Sequence, residues 1–130
     1  MTSIFTRIIQ REIPAHIVAE DENYLAFLDI MPLTKGHTLV VPKKEVDYIF
    51  DLDDTTFVGL HSFSKTVAQA IKKSIRCQRV GVAVLGMEVH HAHIHLVPMN
   101  SMRDMNFSNP KLKLNPEQLA DIARMIRESF

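Results

Sequence analysis

His91-Ala92-His93-Ile94-His95-Leu96-Val97, closed by Pro98, sets three histidines at strict alternation ahead of two aliphatic residues. Side chains alternate between the faces of a strand, so this spacing predicts that residues 91, 93 and 95 project to one side. Ala92, Ile94 and Leu96 then fill the opposite side, which reads as the core face. At about 3.3 Å rise per residue, neighbouring imidazoles in such a row stand roughly 7 Å apart. A half-buried polar role is the ordinary fate of a lone histidine, but three titratable rings on one face exceed what stability requires. Metal ligation is a second reading, since neutral imidazole is a common ligand. Residues 91 and 95 lie roughly 13 Å apart on an extended strand, however, too far to share one ion held at about 2 Å. Nucleophilic or acid–base chemistry is the third reading and the one the alternation favours. It puts an imidazole nucleophile between two rings able to donate hydrogen bonds.

The rest of the composition bounds the setting. A chain of 130 residues suits one domain, 1–130, burying about two-thirds of its unfolded surface. Apolar residues at 46% and charged residues at 23% are ordinary for a folded protein. Lys plus Arg and Asp plus Glu number 15 each, so no global field points to nucleic acid or to a membrane surface. Any anionic ligand must be held by local groups. Cys77 is the one cysteine, which excludes an intrachain disulfide and a cysteine-based zinc cluster. The chain lacks both an apolar run of about 20 residues and a secretory signal pattern, so the cytoplasm is the expected compartment.

Ser3 ahead of Ile4, Phe5, Ile8 and Ile9 predicts a short amphipathic helix with a serine cap, stopped before Pro14. Residues 16–19 and 24–28 are predicted strands, separated by the polar run 20–23. Pro32, Lys35 and Gly36 break the chain before a third strand at 37–41, which Pro42 ends. Asp53 or Asp54 can cap a long helix whose apolar stripe runs Phe57, Leu60, Phe63, Val67, Ile71 and Ile75. Val80 to Leu85 is a β-branched run, and Gly86 turns the chain toward the histidine strand. Residues 99–115 read as irregular, and Pro116 opens a last helix with Asn115 as its cap. Grouped strands favour α+β with an antiparallel sheet of about five strands, a long helix between strands three and four, and a C-terminal helix.

With these residues in view, the chain resembles the histidine triad (HIT) superfamily, closest to its Hint-like purine nucleoside phosphoramidase branch. The signature His-φ-His-φ-His-φ-φ, with φ hydrophobic, matches residues 91–97. Three upstream blocks are also similar: Ile4 to Ile9 through Glu12-Ile13-Pro14-Ala15, then Ala26 to Ile30, then Gly36 to Lys43. The similarity covers residues 3–98, and four ordered blocks are far more specific than the triad alone.

The resemblance implies a HIT-like fold and a hydrolase that cleaves purine nucleoside phosphoramidates or related AMP conjugates through a covalent nucleotidyl-histidine. By it, His93 is the nucleophile, its inner nitrogen held by a backbone carbonyl. His95 donates to the phosphate oxygens, and His91 and His37 form a supporting hydrogen-bonded pair. Asp29 matches the acidic residue that accepts both ribose hydroxyls, while Phe5, Ile8, Phe27, Leu28 and Ile30 match apolar positions of the base pocket. Each of these has a plainer reading as core or turn. A homodimer through about 54–75 and 79–85 is implied, and no cofactor. The alternative is a nucleotide-binding scaffold or regulatory protein with vestigial catalysis.

The chain departs from its relatives in two places. Before the triad the loop is shorter, with Met87 and Glu88 where relatives carry Gln and Ser or Thr. A leaving-group hydroxyl is thereby lost, and Glu88 is either an acid in its place or a source of repulsion. Ser3 and Thr6 stand where many bacterial relatives carry a zinc-binding Cys-x-x-Cys, so no zinc is expected.

Overall fold

The computed structural model describes residues 2–130. Helix α1 (Ile4–Ile9) is followed by strands β1 (Ile17–Glu20), β2 (Tyr24–Leu28) and β3 (Thr38–Pro42). Helix α2 (Asp54–Ser74) leads to β4 (Arg79–Ala83) and β5 (Ile94–Met99), and α3 (Pro116–Arg127) ends the chain. Short 3-10 turns sit at Ile49–Asp51 and Met102–Met105. The strands form one antiparallel sheet in the order β1-β2-β3-β5-β4. This is the α+β arrangement anticipated, with the long helix between strands three and four.

Local chemistry sets the helix boundaries. Ser3, Asp53 and Asn115 each accept a backbone N–H from three residues on, satisfying donors the first turn leaves open. Asn115 and Gln118 complete a reciprocal capping box. Lys72 and Lys73 in the last turn of α2 suit its partial negative charge.

The central strands β2, β3 and β5 are buried on both faces. Leu60, Val67 and Ile71 of α2 and Leu119, Ile122 and Ile126 of α3 pack on one side, meeting Ala26, Leu28, Val40, Ile94 and Leu96. Each such aliphatic side chain contributes about 1.5–3 kcal/mol on burial. Phe57 and Phe63 of the expected stripe are only half-buried and lie at its margin. On the other side α1 lays Phe5 and Ile8 over Leu25, Phe27, Leu39 and Val41. Among the described residues no helix is long and apolar enough to cross a membrane.

The histidine segment needs one correction. The strand starts at Ile94, so His91 and His93 precede it rather than forming part of an extended row. The β3–β5 ladder runs Thr38↔Leu96, Leu39↔His95 and Val40↔Ile94. Two residues further the partner of Ala92 falls at Pro42, which has no N–H to contribute. The Ala92 amide instead donates to the Val46 carbonyl at 2.7 Å, pulling residues 91–93 toward the loop after β3. The rings draw together in consequence: the His93 and His95 centroids are 4.9 Å apart.

Candidate active site

Strand alternation assembles the site on the α1 side of the sheet. Leu25 and Phe27 of β2 face α1, and Asp29 follows in the same phase just past the strand. Leu39 and Val41 of β3 face it too, and His37 precedes them in phase. His95 pairs with Leu39 across the ladder. Gly36, at φ +94°, makes the tight turn that delivers His37. A Cβ there would lie 3.0 Å from Ile75 Cγ1, so the turn is also a close approach to the end of α2.

All four histidines of the site are buried, from 0% exposure at His91 to 8% at His95. The ring of Phe5 stands edge-on to His93 at 4.9 Å and to His91 at 5.8 Å. His93 Nδ1 lies 2.7 Å from the His91 carbonyl oxygen. A carbonyl can only accept, so the proton is on Nδ1 and the lone pair of Nε2 is free. The expected pairing of His91 with His37 is not found. His37 Nε2 contacts His95 Nδ1 at 2.9 Å, whereas His91 bonds the Pro42 carbonyl at 2.8 Å and the Ser3 hydroxyl at 2.7 Å. The displacement of residues 91–93 toward the loop after β3 accounts for the exchange of partners.

A backbone amide sets the proton positions of the other pair. The Leu33 N–H donates to His37 Nδ1 at 3.0 Å, which places the His37 proton on Nε2. That proton is donated to His95 Nδ1, so His95 carries its own proton on Nε2. Burial is the leading cause of a downward shift at all four rings. His37 is pushed down to about 3, with the charges of His95 and Lys111 adding to burial. His95 is pushed down to about 4, helped by His93. At neutral pH the site therefore holds neutral imidazoles with defined tautomers.

Asp29 lies at the rim, its Oδ1 accepting the Met31 N–H at 2.8 Å. Burial pushes its carboxyl up, the Met31 bond and Lys111 oppose that, and the charge of Glu88 adds to it. Its Oδ2 is 3.7 Å from His37 Nε2. That contact is not an ion pair, because His37 is neutral and its proton is committed to His95. Asp29, His37 and His95 place ligand-type atoms within 4.8 Å of one another, yet they do not suit a cation. To ligate through Nε2, His37 would need its proton on Nδ1, against the Leu33 N–H.

Of the expected apolar positions, Phe5, Ile8 and Phe27 gather beside the triad, with Phe5 and Phe27 centroids 5.4 Å apart. Leu28 turns to the helix-side core, and Ile30 is 64% exposed beyond Asp29. Glu88 is exposed in the turn after Gly86. Phe107 is a residue that sequence reasoning missed: its ring stands edge-on to His95 at 4.9 Å and to His37 at 6.2 Å. Lys111 holds this segment by donating to the carbonyls of Phe107 and Asn109. A single aromatic in the polar stretch 99–115 was the available signal.

Comparison with known proteins matches residues 10–102 to a family model described as the HIT domain. An uncharacterized HIT-like protein of Borreliella burgdorferi is 34% identical over 95% of this chain and 94% of its own length. Adenosine 5'-monophosphoramidase hnt1 of Schizosaccharomyces pombe is 30% identical over 97% of this chain and 96% of its own. Among solved structures, a Hit-like protein involved in cell-cycle regulation from Bartonella henselae superposes with a TM-score of 0.86 at 30% identity, covering 99% of this chain and 97% of that one.

Proposed function

The chain belongs to the HIT domain family, and on that premise we propose that it is a nucleotide hydrolase cleaving purine nucleoside phosphoramidates or related AMP conjugates. The observation that carries this reading is the His93 ring. Its Nδ1 proton is held by the His91 carbonyl, which leaves Nε2 unprotonated and, among the described residues, without a hydrogen-bond partner. A neutral imidazole with one nitrogen so fixed is a nucleophile at neutral pH.

Nε2 of His93 attacks the α-phosphorus, forming a P–N bond as the bond to the substrate amine breaks. The amine departs with the electron pair and takes up a proton from solvent. The Nε2–H of His95 donates to a non-bridging oxygen as charge accumulates there, the role its relayed tautomer prepares it for. Water then attacks phosphorus and loses a proton to solvent as the P–N bond breaks, its electron pair returning to Nε2, which releases AMP and neutral His93. His37 fixes the tautomer of His95, and His91 supplies the carbonyl that orients His93. Phe5, Ile8 and Phe27 offer an apolar wall for the purine.

Acid-quenched single turnover with adenosine phosphoramidate tests the reading directly and should leave adenylate bound to the protein. AMP binding without any adenylated protein would favour a nucleotide-binding scaffold, the reading that the altered loop at Met87 and Glu88 keeps in play.

Asp29 accepts the ribose hydroxyls in this scheme. Asp29→Asn loses charge-assisted acceptance worth about 1–2 kcal/mol, so AMP affinity should fall about tenfold. Dideoxyribose nucleotides should be little affected, and calorimetric losses equal for both sugars would place Asp29 outside the site.

The assembly we propose is a homodimer through α2 and β4. β4 is an edge strand, and Val82 on it and Val58 on α2 are about 60% exposed, at 60% and 61%. Light scattering at micromolar concentration should return twice the chain mass; a monomer mass would remove the claim.

A further inference from the structure

We propose that Ser3 and Glu45 are positioning residues for His93, acting through the hydrogen bonds that fix His91. The inference rests on the functional reading above and extends it to residues outside the triad. His91 is fully buried, and both its nitrogens are engaged. The Pro42 carbonyl takes the Nε2 proton at 2.8 Å, so Nδ1 is an acceptor and requires a donor. Ser3 Oγ, 2.7 Å away, is that donor.

The remaining protons of the cluster each have one destination. The Ser3 hydroxyl has a second neighbour in Thr6 Oγ1 at 3.3 Å, but the contact to His91 is shorter and takes the proton. Thr6 returns its backbone N–H to Ser3 Oγ at 3.0 Å. The Thr6 hydroxyl donates to Glu45 Oε1 at 2.5 Å, which stops it competing for His91. The Ser3 backbone N–H also reaches Glu45 Oε1, at 2.8 Å. Hydrogen bonds from Thr6 and Ser3 hold the Glu45 carboxyl below the usual range, so it remains an anionic acceptor. One carboxylate from the loop after β3 thus clamps the start of α1 against the triad.

The chain of contacts ends on the reacting group. The His91 carbonyl that receives the His93 proton belongs to the residue whose ring Ser3 holds. Without the Ser3 hydroxyl, a buried lone pair is left open. The ring then relieves it by turning or by moving its proton, which loosens Pro42 and shifts the carbonyl. Small misplacements of a nucleophile cost far more in rate than in binding.

The experiment compares Ser3→Ala, Ser3→Thr, Glu45→Ala and Glu45→Gln in the full chain. Ser3→Ala should lower kcat about 10- to 100-fold with KM changed less than about threefold, and Ser3→Thr, which keeps a hydroxyl, should restore most of the rate. Glu45→Ala should lower kcat by about fivefold, and Glu45→Gln, which keeps an acceptor oxygen, should stay near wild type. Long-range 1H–15N spectra supply a readout independent of turnover. In wild type His91 should show a protonated Nε2 and a hydrogen-bonded, unprotonated Nδ1, and Ser3→Ala should disturb both signals. Unchanged kcat and unchanged His91 signals in Ser3→Ala would overturn the proposal, as would equal losses in Ser3→Ala and Ser3→Thr. One equivalent of zinc retained on dialysis and lost in His91→Ala would also overturn it, because a metal would then occupy the proton positions. If wild type forms no adenylated protein, the functional reading fails, and the His91 signals still judge the network by themselves.

Discussion

His93→Ala should abolish covalent adenylation and cut phosphoramidate hydrolysis by several orders of magnitude. The acceleration depends on dividing one displacement into two, and among the described residues no other ring of the site keeps a nitrogen free of both proton and hydrogen bond. His37 and His95 spend their inner nitrogens on each other, and His91 spends both of its own. The variant should still fold, because the aliphatic layer beneath the segment is carried by Ala92, Ile94 and Leu96. His95→Ala removes one donor to the developing oxyanion and should cost about 3 kcal/mol in kcat. His91→Ala acts only through the orientation of His93 and should cost less again. Mass spectrometry after acid quench should find adenylate on residue 93 of wild type and none on the variant. Turnover that persists unchanged in His93→Ala would sink the assignment of the nucleophile to this residue.

Mild acid should destabilise the fold by several kcal/mol. His37 and His95 stay neutral in the folded chain down to about 3 and about 4, against an ordinary value of 6.5. Between those values and 6.5 the unfolded chain binds more protons, so stability is full above pH 7 and declines as pH falls. At pH 5 each ring costs about 2 kcal/mol, and the pair about 4, against a total stability of about 5–15. His91 and His93 are displaced in the same direction and add to the loss, whereas the raised Asp29 carboxyl opposes it. Urea unfolding at pH 7 and pH 5 measures the difference. A His37→Gln, His95→Gln variant, with neither ring to titrate, should show a much flatter profile. Equal stability of wild type at both pH values would contradict the neutral buried histidines.

Period-two alternation made much of this legible from residues alone. β2 falls at 24–28 as expected, and its alternation separates Phe27, on the site face, from Leu28, in the helix-side core. That same alternation keeps Leu28 off the face where the resemblance implies a base pocket. The caps at Ser3, Asp53 and Asn115 were readable because a cap is a local signal of three or four residues. Partner choice among the histidines was not, because it turns on two backbone groups, the Leu33 amide and the Pro42 carbonyl, that no side-chain pattern announces. Ser3, Glu45 and His91 are separated by 42 and 88 positions counted from Ser3, which places their union beyond any local reading. Phe107 lay hidden for a related reason: its segment has no periodicity, and only tertiary packing brings it to His95.

The strand order also prescribes how the molecule is put together in time. β4 is synthesised before β5 yet lies outboard of it, so β4 has no strand to pair with until residues 94–99 exist. The first three strands can associate as a meander of short loops, while β5 must bridge a long sequence gap to reach β3. Until then β3 presents an open edge, the state in which such chains are most prone to aggregate. The bond between His37 and His95 spans that late seam and forms only when it closes. During refolding, the return of turnover should therefore trail the return of helical signal, marking the moment the last strand docks.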